Sequence, residues 1–391
     1  MSNRQQRRLQ QKKLRGKGSK AAQGVVTAEN MQSALHAAVQ YHQQGKFRQA
    51  ENIYREVLTI DDANVDALNG MAMIAFQNRK YKKAANAMEK VVERVPDNPG
   101  YRMNMGAIYD ADGRLEDAIS AYQQTIDLKP DYLDPYHNLG DLYLRQGKPE
   151  EAIAVFDISM AANGREFHAL AYKAHALDDA GRHEEARRLL DFDTYVKAWK
   201  FDVPEGYADM EAFNEALARH VKTHPTLQAG VMSTENGKHT GELLRGDMGP
   251  MAAMKKRIEE GIHWYLEQLP DDPEHPAVKW APHQWKLTSW GVVMHNKGHE
   301  RAHIHPNGWL SGVFYISLPD VLNDPDRQPE GWLEFGRPTS DLHVQSDLTI
   351  RHYKPEYGQM FLFPSYFYHG TIPFNSDQRR ICVAFDVEPI Y

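Results

Sequence analysis

The chain has a single cysteine, Cys382, among its 391 residues. That excludes an internal disulfide framework and makes the reducing cytoplasm the expected setting. No apolar run approaches the ~20 residues that a membrane-spanning helix needs, and no signal-peptide core follows the basic start. No membrane partner is expected. Acidic residues are missing from the first 28 positions, which hold eight basic ones (Arg4, Arg7, Arg8, Lys12, Lys13, Arg15, Lys17, Lys20). Setting this +8 arm aside from the net charge of −7 leaves −15 on the remainder. An arm so basic and without aromatics reads as a disordered tail, residues 1–28. Its candidate partners are RNA or an acidic protein surface, and the plain alternative is a solvated tail.

The first half of the chain is repetitive. Ala50, Ala84, Ala118, Ala152 and Ala186 recur every 34 residues. Twelve residues before them stand Ala38, Ala72, Gly106, Gly140 and Ala174. Four after them stand Tyr54, Met88, Tyr122, Phe156 and Leu190. Gly45, Gly113, Gly147 and Gly181 lie five before, with Arg79 in the second copy. Small residues in phase let two helices approach closely, and the glycines mark the turn between them. The pattern resembles the tetratricopeptide repeat, which implies an all-α solenoid of five helix-turn-helix units over 29–198 and a surface that holds a protein or peptide. The same resemblance puts Asp66, Asp110, Asp134, Asp141 and Asp178 on the inward face, where they favour a polar or basic guest. A solvated acidic face is the alternative.

Periodicity changes after residue 198. Helices are expected near 208–222 and over 251–269, with Phe213, Leu217, Met254, Ile258 and Ile262 on stripes that would brace a sheet. From about 285 the chain alternates and turns often. Strands are expected at 290–294, 309–318, 332–335, 359–363, 368–372 and 381–387. Residues 199–391 thus read as one α+β unit, with a jelly-roll core over about 281–391.

Chemistry concentrates there. His303 and His305 sit two apart in a stretch that reads as a strand, so their side chains share a face and converge on one metal ion. His369, from a distant strand, would complete a triangle with open positions opposite, as catalytic metal sites require. His295 and His299 read as loop histidines, and Cys382 as a packing residue.

The segments H-x-H-P-x-G-x-L-S-G-V-F-Y (303–315), G-x-x-F-x-F-P-S-x-x-x-H-G (358–370) and R-I-C-V-A-F (380–385) resemble the 2-oxoglutarate- and Fe(II)-dependent dioxygenases. A bacterial group in which tetratricopeptide repeats precede the oxygenase domain is especially similar. The resemblance implies a double-stranded β-helix, a hydroxylase activity, and Fe(II), 2-oxoglutarate and dioxygen as cofactor and cosubstrates. By position it makes His303 and His369 metal ligands. Arg380 becomes the partner of the distal carboxylate of 2-oxoglutarate, in preference to Arg379, with Tyr315 beside it. His305 stands where most members have Asp or Glu. Glu334 and Asp386 are the alternative sources of a ligand carboxylate. A substrate brought by the repeats would be a protein or peptide.

Two other functions compete. A cupin also carries His-x-His and a distant histidine, but it adds a Glu soon after the pair. Residues 306–313 hold none, and Arg380 would have no purpose. A scaffold without catalysis would use the repeats alone, and the complete set of metal-site residues argues against it.

Overall fold

The computed structural model describes residues 26–229 and 233–390. The basic arm expected over 1–28 therefore falls almost wholly outside the described residues. The chain divides into two compact units, one ending at Lys129 and one running from Pro130 onward. The cut lies inside the stretch of repeats, so the fourth and fifth repeats share a unit with the C-terminal sheet.

In the first unit, helices pair in sequence: 31–43 with 47–60, 65–77 with 81–94, and 99–111 with 115–128. Asn64 and Asn98 start two of them, each side-chain oxygen accepting from the N–H three residues on. The repeating alanines are buried in every copy. A Cβ on Gly106 would come within 2.5 Å of the Tyr122 ring, which is why the small and large positions recur in phase. The turn position of each of the five repeats has positive φ: Gly45, Gly113, Gly147, Gly181, and also Arg79 at 56°. Arg79 carries the Cβ strain that the glycines avoid.

The second unit opens with helix pairs 134–145/149–163 and 167–179/183–189. Ten strands follow: β1 (Lys197–Trp199), β2 (Gln228–Ala229), β3 (Thr234–His239), β4 (Trp285–Glu300), β5 (Leu310–Ser317), β6 (Leu333–Phe335), β7 (Arg351–Tyr353), β8 (Met360–Pro364), β9 (His369–Thr371) and β10 (Arg380–Pro389). The major sheet runs β1-β8-β5-β10-β4-β3-β2 and the minor one β7-β6-β9; every pairing is antiparallel. The chain is thus helical repeats followed by a β-rich region of two antiparallel sheets. Helices 210–223 and 251–267 brace the major sheet, burying Phe213, Leu217, Val221, Met254, Ile258 and Ile262. Gly291 on β4 lacks the Cβ that would strike Val221 at 2.5 Å. Four short strands, β1, β2, β3 and β7, have no counterpart among those expected from sequence.

Two of the acids assigned to the inward face of the last repeats, Asp141 and Asp178, are occupied. Asp141 accepts from the His343 N–H at 2.9 Å, and Asp178 pairs with His183 at 2.6 Å. Neighbouring Asp179 accepts from the Gln345 and Ser346 N–H groups. The loop between β6 and β7 is the segment that Asp141 and Asp179 meet.

His275 is buried and fixed as a neutral ring. Its Nε2–H donates to the Arg188 carbonyl at 3.0 Å and its Nδ1 accepts from the Ala277 N–H at 3.2 Å. Burial pushes its pKa down to about 4, as it does for His175.

Two outcomes follow from this packing. Replacing Arg79→Gly relieves the backbone strain and raises unfolding free energy by about 0.5–1 kcal/mol, read from the denaturant midpoint. Histidines held neutral in the fold but not in the unfolded chain contribute stability that is whole above the ordinary pKa of 6.5 and is lost as pH falls toward about 4. The melting temperature should therefore drop through that window, and His275→Gln should flatten the drop.

Candidate metal centre

β10 lies between β4 and β5, and its residues alternate across the sheet. Arg380, Cys382, Ala384 and Asp386 fall on one face and line a cavity of about 210 Å³. Their direct neighbours line it too. Arg380 pairs with Met294, Cys382 with Val292 and Tyr315, Ala384 with Trp290 and Val313, and Asp386 with Ser311. The opposite side of the cavity comes from the minor sheet and the segment between β4 and β5.

That segment is not the strand expected from sequence. His303 forms an isolated bridge to His369, with reciprocal N–H···O bonds of 3.0 Å, and His305 N–H donates to the Ser365 carbonyl. Pro306 has no N–H to extend a ladder, so pairing stops at these few main-chain bonds. His295 and His299, expected in a loop, lie in the far end of β4.

The three rings still converge. Ring centroids of His303, His305 and His369 lie 4.4 to 5.1 Å apart, and one nitrogen from each falls within 4.8 Å of the other two. Each outer nitrogen, Nδ1, faces an oxygen that can only accept. His303 donates to the Arg301 carbonyl at 2.7 Å, His369 to the Phe367 carbonyl at 2.9 Å, and His305 to the Asp386 carboxylate at 2.6 Å. With Nδ1 protonated, every Nε2 keeps its lone pair. The His305 Nε2 is shut from solvent and meets no hydrogen-bond partner among the described residues. Burial, then the field of His305, pushes His303 down to about 4. Burial and the two neighbouring rings hold His369 well below its usual value. Burial alone would lower His305, but Asp386 outweighs it and raises the pKa. Three rings whose inner nitrogens converge, each oriented by an acceptor behind it, form the donor set a first-row divalent cation takes.

Arg380 lies 2% exposed at the other end of the cavity. Its Nη2 donates to the Tyr315 hydroxyl at 3.3 Å, Nη1 faces the sulfurs of Met294 and Cys382, and Nε has no partner. No carboxylate among the described residues forms an ion pair with it. A buried guanidinium facing two sulfurs and a phenol is poorly solvated, and an anion entering the cavity relieves it. Arg379 is exposed. Burial pushes the Cys382 thiol up to about 11, so it is an inert wall beside Arg380.

The two carboxylates considered as ligands are placed elsewhere. Glu334 pairs with Arg337 at 2.7 Å and His352 at 3.0 Å. Asp386 stands behind His305, not beside the three lone pairs. Sequence reading also missed Glu300, which accepts from Ser233, Thr234 and His239. Burial pushes Glu300 up, but those hydrogen bonds hold it at about 2. Trp290 stacks on His305 with centroids 5.4 Å apart. Asp386 had a readable signal, since it sits six residues beyond Arg380 and therefore on the same strand face.

Residues 288–386 match the family described as "Putative 2OG-Fe(II) oxygenase". Upstream, residues 41–108, 108–147 and 137–201 match three tetratricopeptide-repeat families. The chain therefore carries tetratricopeptide repeats followed by a segment of that oxygenase family. No curated protein matches it. Among solved structures, a MamA protein is 21% identical, covers 42% of this chain and 90% of its own, and has a TM-score of 0.39. MamA from Desulfovibrio magneticus RS-1 is 22% identical over 34% of this chain and 76% of its own, with a TM-score of 0.33. PilF of Pseudomonas aeruginosa is 21% identical over 49% of this chain and 83% of its own, with a TM-score of 0.37. Among the described residues no helix is long and apolar enough to cross a membrane.

Metal-free protein should take up one equivalent of Co2+, read by calorimetry. His369→Ala should weaken uptake by at least about 100-fold, the upper end of what losing even an outer partner of a ligand costs.

Proposed function

We propose that the chain is a 2-oxoglutarate- and Fe(II)-dependent oxygenase that hydroxylates a protein or peptide held by its repeats. His303, His305 and His369 would hold the iron through Nε2. Arg380 would bind the distal carboxylate of 2-oxoglutarate, with Tyr315 fixing the guanidinium. One observation carries the reading. A single cavity holds three aligned imidazole lone pairs at one end and a buried guanidinium without a carboxylate at the other. A metal-binding scaffold has no use for the second feature, and an anion-binding one has no use for the first.

The chemistry supplied when iron, 2-oxoglutarate and dioxygen are bound is an oxidation. One oxygen atom enters a substrate C–H bond, and the other enters the succinate formed as the 2-oxo acid loses carbon dioxide. The chain's own residues bind, orient and exclude. Arg380 meets a carboxylate with a planar, permanently charged fork. Tyr315 is fully buried, and burial raises its pKa, so it stays a neutral phenol accepting from Arg380. Val292, Val313, Leu333 and Phe363 give the cavity apolar walls that keep water from the reacting atoms.

Recruitment falls to the repeats. In the first unit a groove of about 710 Å³ is lined by Leu35, Val39, Met73, Asp66, Asn69 and Gln77. A groove lined by amide, histidine and apolar side chains, with Asp66 as its acid, suits a polar or basic peptide.

Calorimetry of 2-oxoglutarate with metal-loaded protein tests the reading. Binding is expected in wild type, and Arg380→Ala should spare metal uptake but weaken 2-oxoglutarate by at least about 30-fold, the equivalent of about 2 kcal/mol. Metal uptake with no 2-oxoglutarate binding would return the chain to a cupin-like class, and neither would leave a scaffold.

A further inference from the structure

We infer that Asp386 is a positioning residue that supplies, through His305, the negative charge that a ligand carboxylate would otherwise bring to the metal. The inference rests on the metal-binding reading above and concerns how the site balances charge. Three imidazoles bring no negative charge of their own to a divalent cation, and of the carboxylates that line the cavity, Glu300, Asp386 and Glu388, only Asp386 bonds one of the three rings. Burying the charge of a cation is costly unless an anion lies close. Asp386 lies close, one imidazole away. Its Oδ2 accepts from His305 Nδ1 at 2.6 Å, a short, charge-assisted contact.

The carboxylate is itself held. Oδ1 accepts from the Ser311 hydroxyl at 2.7 Å, and Ser311 lies 3.0 Å from the Ser365 hydroxyl. Both serines are buried. Ser365 also fixes the ring's backbone, since its carbonyl accepts from His305 N–H at 3.0 Å. Trp290 stacks on the ring face. His305 is thus clamped by a carboxylate behind, a main-chain bond at its base and an indole on its face. The other two rings have only neutral carbonyls behind them. His305 is the one ring of the three with a carboxylate at its back.

Two roles for Asp386 can be separated. The substitution Asp386→Asn would keep an acceptor for Nδ1–H, and so the tautomer, but would remove the charge. Full-length protein is titrated anaerobically with Co2+, followed by calorimetry and by the visible d–d spectrum, with melting of the metal-free protein as a control on folding. The inference predicts that Asp386→Asn melts near wild type, binds Co2+ about 10–100-fold more weakly, and shifts the d–d bands. Ser311→Ala, which leaves the carboxylate but loosens it, should weaken binding several-fold and serves if the asparagine variant fails to fold. Wild-type affinity with an unchanged spectrum in Asp386→Asn, or in Ser311→Ala where that variant is the one measured, overturns the inference while leaving the metal site intact. Absence of Co2+ uptake by wild type itself overturns the metal-binding reading and this inference with it.

Discussion

The structure around the cavity depends on three hydrogen bonds at the backs of three imidazoles. Each ties an Nδ1–H to an acceptor and so leaves an Nε2 lone pair directed at a shared point. Neutral rings in so tight a cluster would otherwise turn to satisfy one another or solvent. The reciprocal bridge between His303 and His369 and the bond from His305 to Ser365 hold the backbones that carry them. Arg380 is the counterpart at the far end. Its burial beside Met294 and Cys382 makes sense as a socket for an anion. Each end leaves a buried polar atom without a partner among the described residues, Nε2 of His305 and Nε of Arg380, as is common at functional sites.

Much of this was legible in the sequence because periodicity is a strong signal. Five alanines at a constant interval announce helix pairs, and the structure explains the interval through the Gly106–Tyr122 and Gly140–Phe156 contacts. The resemblance favours Arg380 over Arg379, and in the structure Arg380 is buried and Arg379 exposed. The misses are equally physical. β1, β2, β3 and β7 are two to six residues long, too short to show a period. The His303–His305 stretch has strand composition but no ladder, because pairing depends on neighbours far along the chain. Glu334 looks available in the sequence, which does not show Arg337 and His352 turned toward it. Asp386 is visible on the right face, but its distance from His305 is a matter of register between β10 and the segment before β5.

The repeats raise a related point. Asp141 and Asp179 resemble a clamp for an extended peptide, and they hold one, the main chain of residues 343–346. This segment belongs to the loop joining β6 and β7, beside the strand whose Phe335 packs against the His369 ring. The last repeats and the sheet are therefore parts of one compact unit, and the groove lined by Leu35 and Asp66 belongs to the first repeats.

Under the proposed function, His303, His305 and His369 hold one divalent cation. Anomalous diffraction from a crystal of the Co2+-loaded protein, collected at the cobalt edge, tests it most directly. One strong peak is expected within bonding distance of the Nε2 atoms of His303, His305 and His369. A peak elsewhere, or none with cobalt in excess, would contradict it.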